Sequence, residues 1–527
     1  MYQAVLRLQG TMYVVGPGAL LENPTGGGEQ DHGDRMTEAV DRLYKMLNDK
    51  RGPEVISRNE IRARLQPGAT PGPLATKLVD GQPAKSIARR LFAKPIPGVM
   101  YGLPGISFQL ERKRRYPFNT LASPTLGFTN GEKRGVFGLE ETLDKTLRGI
   151  DGREIKEIDA RGMVIPERVT ERTLPRDGSD VVLTIDASLQ QAVQGELDSA
   201  VKAADALRGQ CIVMNPKTGE ILALASSPSW DANDPAKAKI ALDNAAINHY
   251  FEPGSTFKLV AVTAALEEGV IRDGQNVTYC SGAMPVGNRV IHEAHNAHGQ
   301  VDCMRLLEQS CNLGAAVHPV RLGSDRFLKW VRAFGFAQKT GIELRGESPG
   351  LINAQAAREA KITLANMGFG QSIAVTIPQM AAAYAVPANG GDWVQPHLVK
   401  AYVRDDGTRE EFTPARHHVC SEQTAKLLQT YLEDVCTNGT GKGAAKMVPG
   451  YRMGGKTGTA QKPDKGGYHS GKYIGSFVGI VPMNDPQFLI FVMIDEPKHG
   501  YYGGAVAGPV VGAIAQKALL YANIPPT

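Results

Sequence analysis

The sequence predicts an α+β fold in at least two domains, and three observations carry that prediction. Apolar, β-prone runs bounded by Gly and Pro stand far apart in the chain, at residues 211–225 and 476–495. Segments with helical spacing lie between them, most clearly over 255–269. Strands drawn from distant sequence with helices in between imply an antiparallel sheet flanked by helices. The first 110 residues, by contrast, keep no steady period and are dense in breakers, as in "NPTGGGEQDHGD", "QPGATPGP" and "AKPIPGVMYGLPG".

Bulk composition narrows the function classes. A chain of 527 residues, 42% hydrophobic and 21% charged, has the makeup of a folded protein with a large core, which excludes disordered and fibrous classes. The net charge of +5 is small for this length, and the one basic tract, "ERKRR" at 111–115, reads as a solvated face; no nucleic-acid partner is expected. The six cysteines show no Cys-x-x-Cys and so neither a disulfide framework nor a zinc pattern. Cys303 and Cys311, if on one helix, stand about 12 Å apart, too far to bridge. The stretch "TMYVVGPGALL" is broken by Gly16, Pro17 and Gly18, so it reads neither as a membrane span nor as a signal peptide. A protein of this kind acting outside the cytoplasm would need an anchor or export signal that is not visible in these residues.

Along the chain, residues 1–170 are expected to form a non-catalytic domain, with helices over 36–48 and 83–92, and 171–527 the catalytic one. Within the first, "GVFGLEETLDKTLRG" reads as a loop entering a short helix. The second opens with the β-rich "VVLTI", then Asp186 and a helix whose apolar face is Leu189, Val193 and Leu197. "QCIVMNPKTGEILALASSP" is a hairpin with Pro and Gly at its turn. Residues 255–269, apolar nearly all round and stopped by Gly269, form a buried central helix. A second hairpin turns at "MNDPQ", and a last helix covers 506–522.

Three short motifs carry the chemistry. The first is Ser255-x-x-Lys258 in "FEPGSTFK" at 251–258, a pattern expected about once by chance in a chain this long. The second is Ser310-Cys311-Asn312. The third is Lys456-Thr457-Gly458-Thr459. Lys-Thr-Gly also occurs at Lys217 and Lys339, but there it reads as turn chemistry; only the copy at Lys456 follows Gly454-Gly455 and leads into a hairpin. Positions i and i+3 share a helix face, so Lys258 is expected within hydrogen-bonding reach of the Ser255 hydroxyl. A lysine serves as base only when neutral, which burial and a second cation, Lys456, both favour. A serine at a helix N-terminus also sits where developing negative charge is stabilised. Each motif alone is weak and open to a bland reading, Ser310 and Asn312 as a helix cap and Lys456 as an edge-strand charge. Together, in this order and on these element types, they mark an active site.

The order Ser-x-x-Lys, Ser-x-Asn, Lys-Thr-Gly resembles the penicillin-recognising serine acyltransferases. "GLEETLDKTLRG", "LTIDASLQ", "NPKTGEILALASSPS", "GGKTGTA" and "YYGGAVAGPVVGAI" narrow the resemblance to class B penicillin-binding proteins of the division-specific, FtsI or penicillin-binding protein 3, type, from about Tyr116 to Pro526. The resemblance implies a transpeptidase fold with an all-helical lobe, preceded by a strand-rich pedestal or dimerisation-like domain. It implies a peptidoglycan D,D-transpeptidase of septal wall synthesis, acylated at Ser255 by stem peptides ending in D-Ala-D-Ala and by β-lactams. Ser255 and Thr459 would supply the oxyanion hole, Ser310 would pass protons between Lys258, Lys456 and the leaving amine, Asn312 would hold the substrate backbone, and Thr457, Gly458 and Thr459 would bind substrate. No metal or organic cofactor is expected. The implied partners are a membrane-embedded glycan polymerase and division proteins, with the catalytic domain on the periplasmic or outer face of the membrane.

Two rival classes are a β-lactamase, which needs a carboxylate aimed at water that cannot be assigned here, and a penicillin-sensing module, which signals through a transmembrane segment. "NMGFGQ" at 366–371 borders the cleft in the family or is a mere helix-to-loop turn. His292, Glu293, His295 and His298 in "IHEAHNAHG" raise a metal site, but their spacing is not that of a known closed cluster and an exposed loop explains it as well.

Overall fold

The computed structural model describes residues 6–14, 37, 40, 41, 44, 45, 57–65, 72–78, 106–158, 164–238, 242–294, 297–462 and 471–526. Packing divides the chain into two compact units, Gln3–Pro117 and Phe118–Thr527.

The first unit contains β1 (Leu6–Val14), α1 (Arg58–Leu65), β2 (Gly72–Leu78) and β3 (Ile106–Arg114). The strands form one antiparallel sheet in the order β2-β1-β3. A reciprocal cap starts α1: the Ser57 hydroxyl accepts the Glu60 N–H at 3.3 Å, and the Glu60 carboxylate accepts the Ser57 N–H at 3.1 Å. Of the helix expected over 36–48, the described positions Thr37, Val40, Asp41, Tyr44 and Lys45 are helical. The one expected over 83–92 lies outside the described residues.

By packing, Phe118–Ile158 groups with the second unit. The reason is apolar burial. Leu139 and Leu143 join the main core, and Phe128 and Phe137 enclose Trp230 edge-on at centroid distances of 5.6 and 5.7 Å. Composition showed the breakers of this segment and not its few anchoring side chains.

The second unit is built on α2 (Ala187–Ala203), β4 (Arg208–Met214), β5 (Ile221–Ser227), α3 (Lys258–Glu267), α4 (Cys303–Glu308), α5 (Asn312–Leu322), α6 (Ile377–Ala388), α7 (Glu422–Thr437), β6 (Gly454–Gln461), β7 (Tyr473–Val481), β8 (Phe488–Asp495) and α8 (Gly508–Tyr521). Its sheet is antiparallel throughout, in the order β5-β4-β8-β7-β6, so β6 is an edge. Successive strand side chains point to opposite faces. Cys211, Val213, Ile490 and Val492 accordingly pack with α2 and α8, whereas Ile212, Met214, Leu489 and Phe491 pack in the core that holds α3 and α6. Both faces are covered, which is why these strands read as continuous apolar runs.

Local chemistry sets the element ends. The Asp186 carboxylate caps α2 by accepting the Leu189 N–H at 2.9 Å. The β4–β5 turn is organised by the Asn215 side chain, which accepts the Lys217 N–H at 2.9 Å. The helix expected over 255–269 is buried from Lys258 to Ala265, but it begins as a 3₁₀ turn, Gly254–Phe257. Among the described residues, no helix is long and apolar enough to cross a membrane.

Candidate active site

The 3₁₀ turn puts Ser255 one turn before Lys258, and side chains three apart eclipse in that geometry. The turn is wedged between two backbones. The Gly254 N–H donates to the Gly370 carbonyl at 3.1 Å, and Gly370, in the left-handed region at φ 80°, lies so close that a Cβ there would come 2.1 Å from the Gly254 oxygen. On the other side, a Cβ on Gly458 of β6 would come 2.3 Å from the Ser476 hydroxyl and 3.1 Å from the Pro253 carbonyl. Gly370 and Gly458 are glycines because the chains meet there. The stretch 366–371 therefore borders the Ser255 turn and is more than a helix stop. Glu252 reinforces it by accepting the Ser372 N–H at 2.9 Å.

Ser310 lies between α4 and α5, and Asn312 is the first residue of α5. Ser310 has φ 59°, a left-handed conformation that costs an L-residue about 1 kcal/mol or more and persists only when its surroundings hold it. Three groups do so. Cys311 caps α5, its sulfur accepting the Gly314 N–H at 3.3 Å. The Glu293 carboxylate accepts the Asn312 N–H at 2.8 Å, where the positive end of the helix dipole favours an anion. The Lys258 amine donates to the Ser310 carbonyl, to the Ser310 hydroxyl at 3.2 Å and to Asn312 Oδ1 at 2.8 Å.

From the sheet side, the Lys456 amine reaches the same Ser310 hydroxyl at 3.0 Å. Ser310 Oγ thus bridges two lysines, both wholly buried. Burial holds the Lys258 amine down at about 8, even though the Glu293 carboxylate pulls the other way. Lys456 is held well below the usual lysine range, first by burial and then by the positive charge of Lys258. The charge coupling therefore acts chiefly on Lys456, and desolvation accounts for Lys258.

The structure brings Ser255, Lys258, Ser310, Asn312, Lys456, Thr457, Gly458 and Thr459 into one cleft. Ser255 and Thr459 remain partly accessible, and Thr459 Oγ1 accepts the Gly503 N–H at 3.1 Å. Thr457 Oγ1 lies 2.9 Å from Thr440 Oγ1. One expected contact is not formed: no hydrogen bond joins Lys258 to Ser255, because three acceptors around Ser310 hold the amine. The other Lys-Thr-Gly copies are turns, with Gly219 at φ 81° and Gly341 at φ 88°. Cys303 opens α4 whereas Cys311 is the cap before α5, and all six cysteines are free and buried. Residue reasoning missed the roles of Glu252, Glu293 and Thr440. Glu252 sits inside the first motif, so adjacency was a signal; Glu293 stood out only with the histidines of its loop as a metal candidate, and Thr440, also on a loop, left none.

Residues 209–516 match the penicillin binding protein transpeptidase domain, which covers more than half of the chain. The chain belongs to the penicillin-binding protein transpeptidase family. Residues 23–183 match the penicillin-binding protein dimerisation domain. Stage V sporulation protein D of Bacillus subtilis is 35% identical over 80% of this chain and 66% of that protein. The peptidoglycan D,D-transpeptidase FtsI of Escherichia coli is 33% identical over 80% of this chain and 70% of that one. The crystal structure of penicillin-binding protein 3 from Mycobacterium tuberculosis aligns with a TM-score of 0.71 at 32% identity, covering 80% of this chain and 92% of that one. That protein has also been solved with aztreonam bound.

Proposed function

We propose that this chain is a peptidoglycan D,D-transpeptidase of the division-specific class B type, acylated at Ser255 by stem peptides and by β-lactams. The observation that carries the reading is the Ser310 hydroxyl, 3.2 Å from the Lys258 amine and 3.0 Å from the Lys456 amine beside a half-buried Ser255. A serine is inert at its own pKa and needs a neutral base; two buried amines that repel each other's protons provide one.

Ser255 Oγ attacks the penultimate D-Ala carbonyl carbon while its proton passes to Lys258, which swings from Asn312 toward Ser255. The N–H groups of Ser255 and Thr459 hold the oxyanion, each worth about 3 kcal/mol in the transition state. Collapse breaks the C–N bond, and the proton moves through Ser310 to the departing D-Ala amine. An amine from a neighbouring strand then attacks the acyl-enzyme, and Ser255 recovers its proton. The edge of β6 supports the substrate assignment, since an extended peptide can pair along an open strand edge with Lys456, Thr457 and Thr459 beside its terminal carboxylate. In this reading, 171–527 is the transpeptidase domain and 1–170 a pedestal that meets a membrane-embedded glycan polymerase and division proteins. The catalytic domain then works outside the cytoplasm.

Labelling with a fluorescent penicillin tests this. A stable adduct, lost in Ser255→Ala, together with transfer of the acyl group to an added D-amino acid, is the expected result. Rapid turnover of the adduct would make the protein a hydrolase and sink the proposal.

A further inference from the structure

We propose that Cys280, Glu293 and Cys311 form a binding site for one divalent transition-metal ion, zinc by ligand type, directly behind the Ser310 turn. One donor atom from each residue lies within 4.8 Å of the others. Ligands around a tetrahedral zinc stand roughly 3.5–3.8 Å apart, given Zn–S of about 2.3 Å and Zn–O of about 2.0 Å, so the cluster needs to close by only about 1 Å. The three donors come from separate segments. Cys280 ends the short strand Thr278–Cys280, Glu293 follows the strand Arg289–His292, and Cys311 caps α5. Two thiolates and a carboxylate select zinc over the oxygen-seeking magnesium and calcium.

The surroundings suit a cation. Both cysteines are fully buried, and Glu293 is half-exposed, which gives the ion a way in. Binding would release one proton from each thiol. The cluster then carries −1 before and after, because two thiolates and one carboxylate offset the ion's +2, and the field at Lys258 keeps its sign. Three protein ligands leave the fourth position to water. His292, weighed as a ligand from sequence, is exposed, and His295 lies outside the described residues.

The site's consequence follows from where Cys311 stands, between the two residues that hold Lys258. A metal on Cys311 and Glu293 would tie the loop after Thr278–Cys280 to the start of α5 and keep Ser310 in its left-handed conformation. Metal binding itself does not rest on the transpeptidase reading; only this effect on acylation does.

The test uses the full chain, chelated, reduced with a phosphine, and titrated with Co²⁺. About one equivalent should bind with a thiolate-to-cobalt charge-transfer band, displaced by Zn²⁺. Cys280→Ser should abolish the band, Glu293→Gln weaken it, and Cys211→Ser leave it intact. As a readout independent of these variants' folding, Zn²⁺ should raise the melting temperature of the unmodified chain. No band, a band that survives Cys280→Ser, or no thermal shift overturns the proposal. So does a Cys280–Cys311 disulfide in the protein as isolated, which would make the pair a redox crosslink.

Discussion

The two walls of the cleft are built by different means. On the sheet side, β6 pairs with β7 through eight successive residue pairs, from Gly454↔Ile480 to Gln461↔Tyr473, with no shift of register. This backbone ladder sets where Lys456 and Thr459 sit. On the helical side, Ser310 is a strained residue between two helices, held by side chains from Lys258, Glu293 and Cys311. The sheet wall should tolerate changes that do not touch the site or its backbone contacts. The helical wall should feel changes in any of its supports, whether or not they meet substrate.

The largest effect tests the chemistry both walls serve. Ser255→Ala should cut acylation by roughly a million-fold, since loss of a nucleophile forfeits the whole covalent route. Penicillin adduct formation measured by intact mass checks it. Next come the lysines, where the walls should part. Lys258→Met and Lys456→Met should each slow acylation by about 10²–10⁴, the range of a lost acid–base group. Their stabilities should differ. Lys258→Met strands the Ser310 carbonyl and Asn312 Oδ1, costing about 1–3 kcal/mol, whereas Lys456→Met removes an amine that burial holds well below the usual lysine range and whose bonds to the Thr457 carbonyl and hydroxyl are long, at 3.3 and 3.4 Å, and should cost less. Equal melting temperatures would erase the distinction drawn between the walls.

A third comparison concerns backbone contact. Gly370→Ala meets the Gly254 oxygen at 2.1 Å in addition to its left-handed φ, whereas Gly274, at φ 69°, has open space around it. Alanine at 274 should cost about 1 kcal/mol, the left-handed penalty alone. Alanine at 370 should cost more and also slow acylation, by shifting the Ser255 turn. Thermal melts paired with acylation rates separate the two.

The pH dependence is smaller per unit and has a fixed sign. With Lys258 at about 8, its neutral fraction grows roughly tenfold per unit below that value, so acylation should climb with pH and level off near 8. Stability moves the same way at higher pH. The folded amine is depressed from 10.5, so between about 8 and 10.5 the unfolded chain binds the proton that the folded one has released, and stability rises across that window. A rate that is flat from pH 6 to 8 would remove Lys258 from the role of base.

The same contrast explains what could be read from sequence. β7 and β8 were legible because apolar runs with turn residues between them have a local cause, and the third Lys-Thr-Gly stood out by its neighbours. α3 was legible for the same reason, though its 3₁₀ start was not, since that depends on Gly370 and β6 closing around Gly254. α6, buried from end to end, went unnoticed because Pro378 and Pro387 break its pattern. Glu293 was read as an exposed loop residue. Its meaning lies in the N-terminus of α5, a partner that no spacing along the chain announces.

The smallest expected effect separates support from chemistry on the helical side. Tyr384 of α6 is fully buried, and its hydroxyl donates to the Thr256 carbonyl at 2.7 Å, in the turn that carries Ser255. Tyr384→Phe keeps the ring and its packing, so only that bond is lost, at a cost of about 1 kcal/mol or somewhat more if the carbonyl stays dry. Acylation should slow by less than tenfold, because Gly370 and β6 still clamp the turn from both sides. A loss approaching that of Lys258→Met would mean that the nucleophile's position depends on this bond, and the turn would then join the Ser310 segment among the parts held by single side chains.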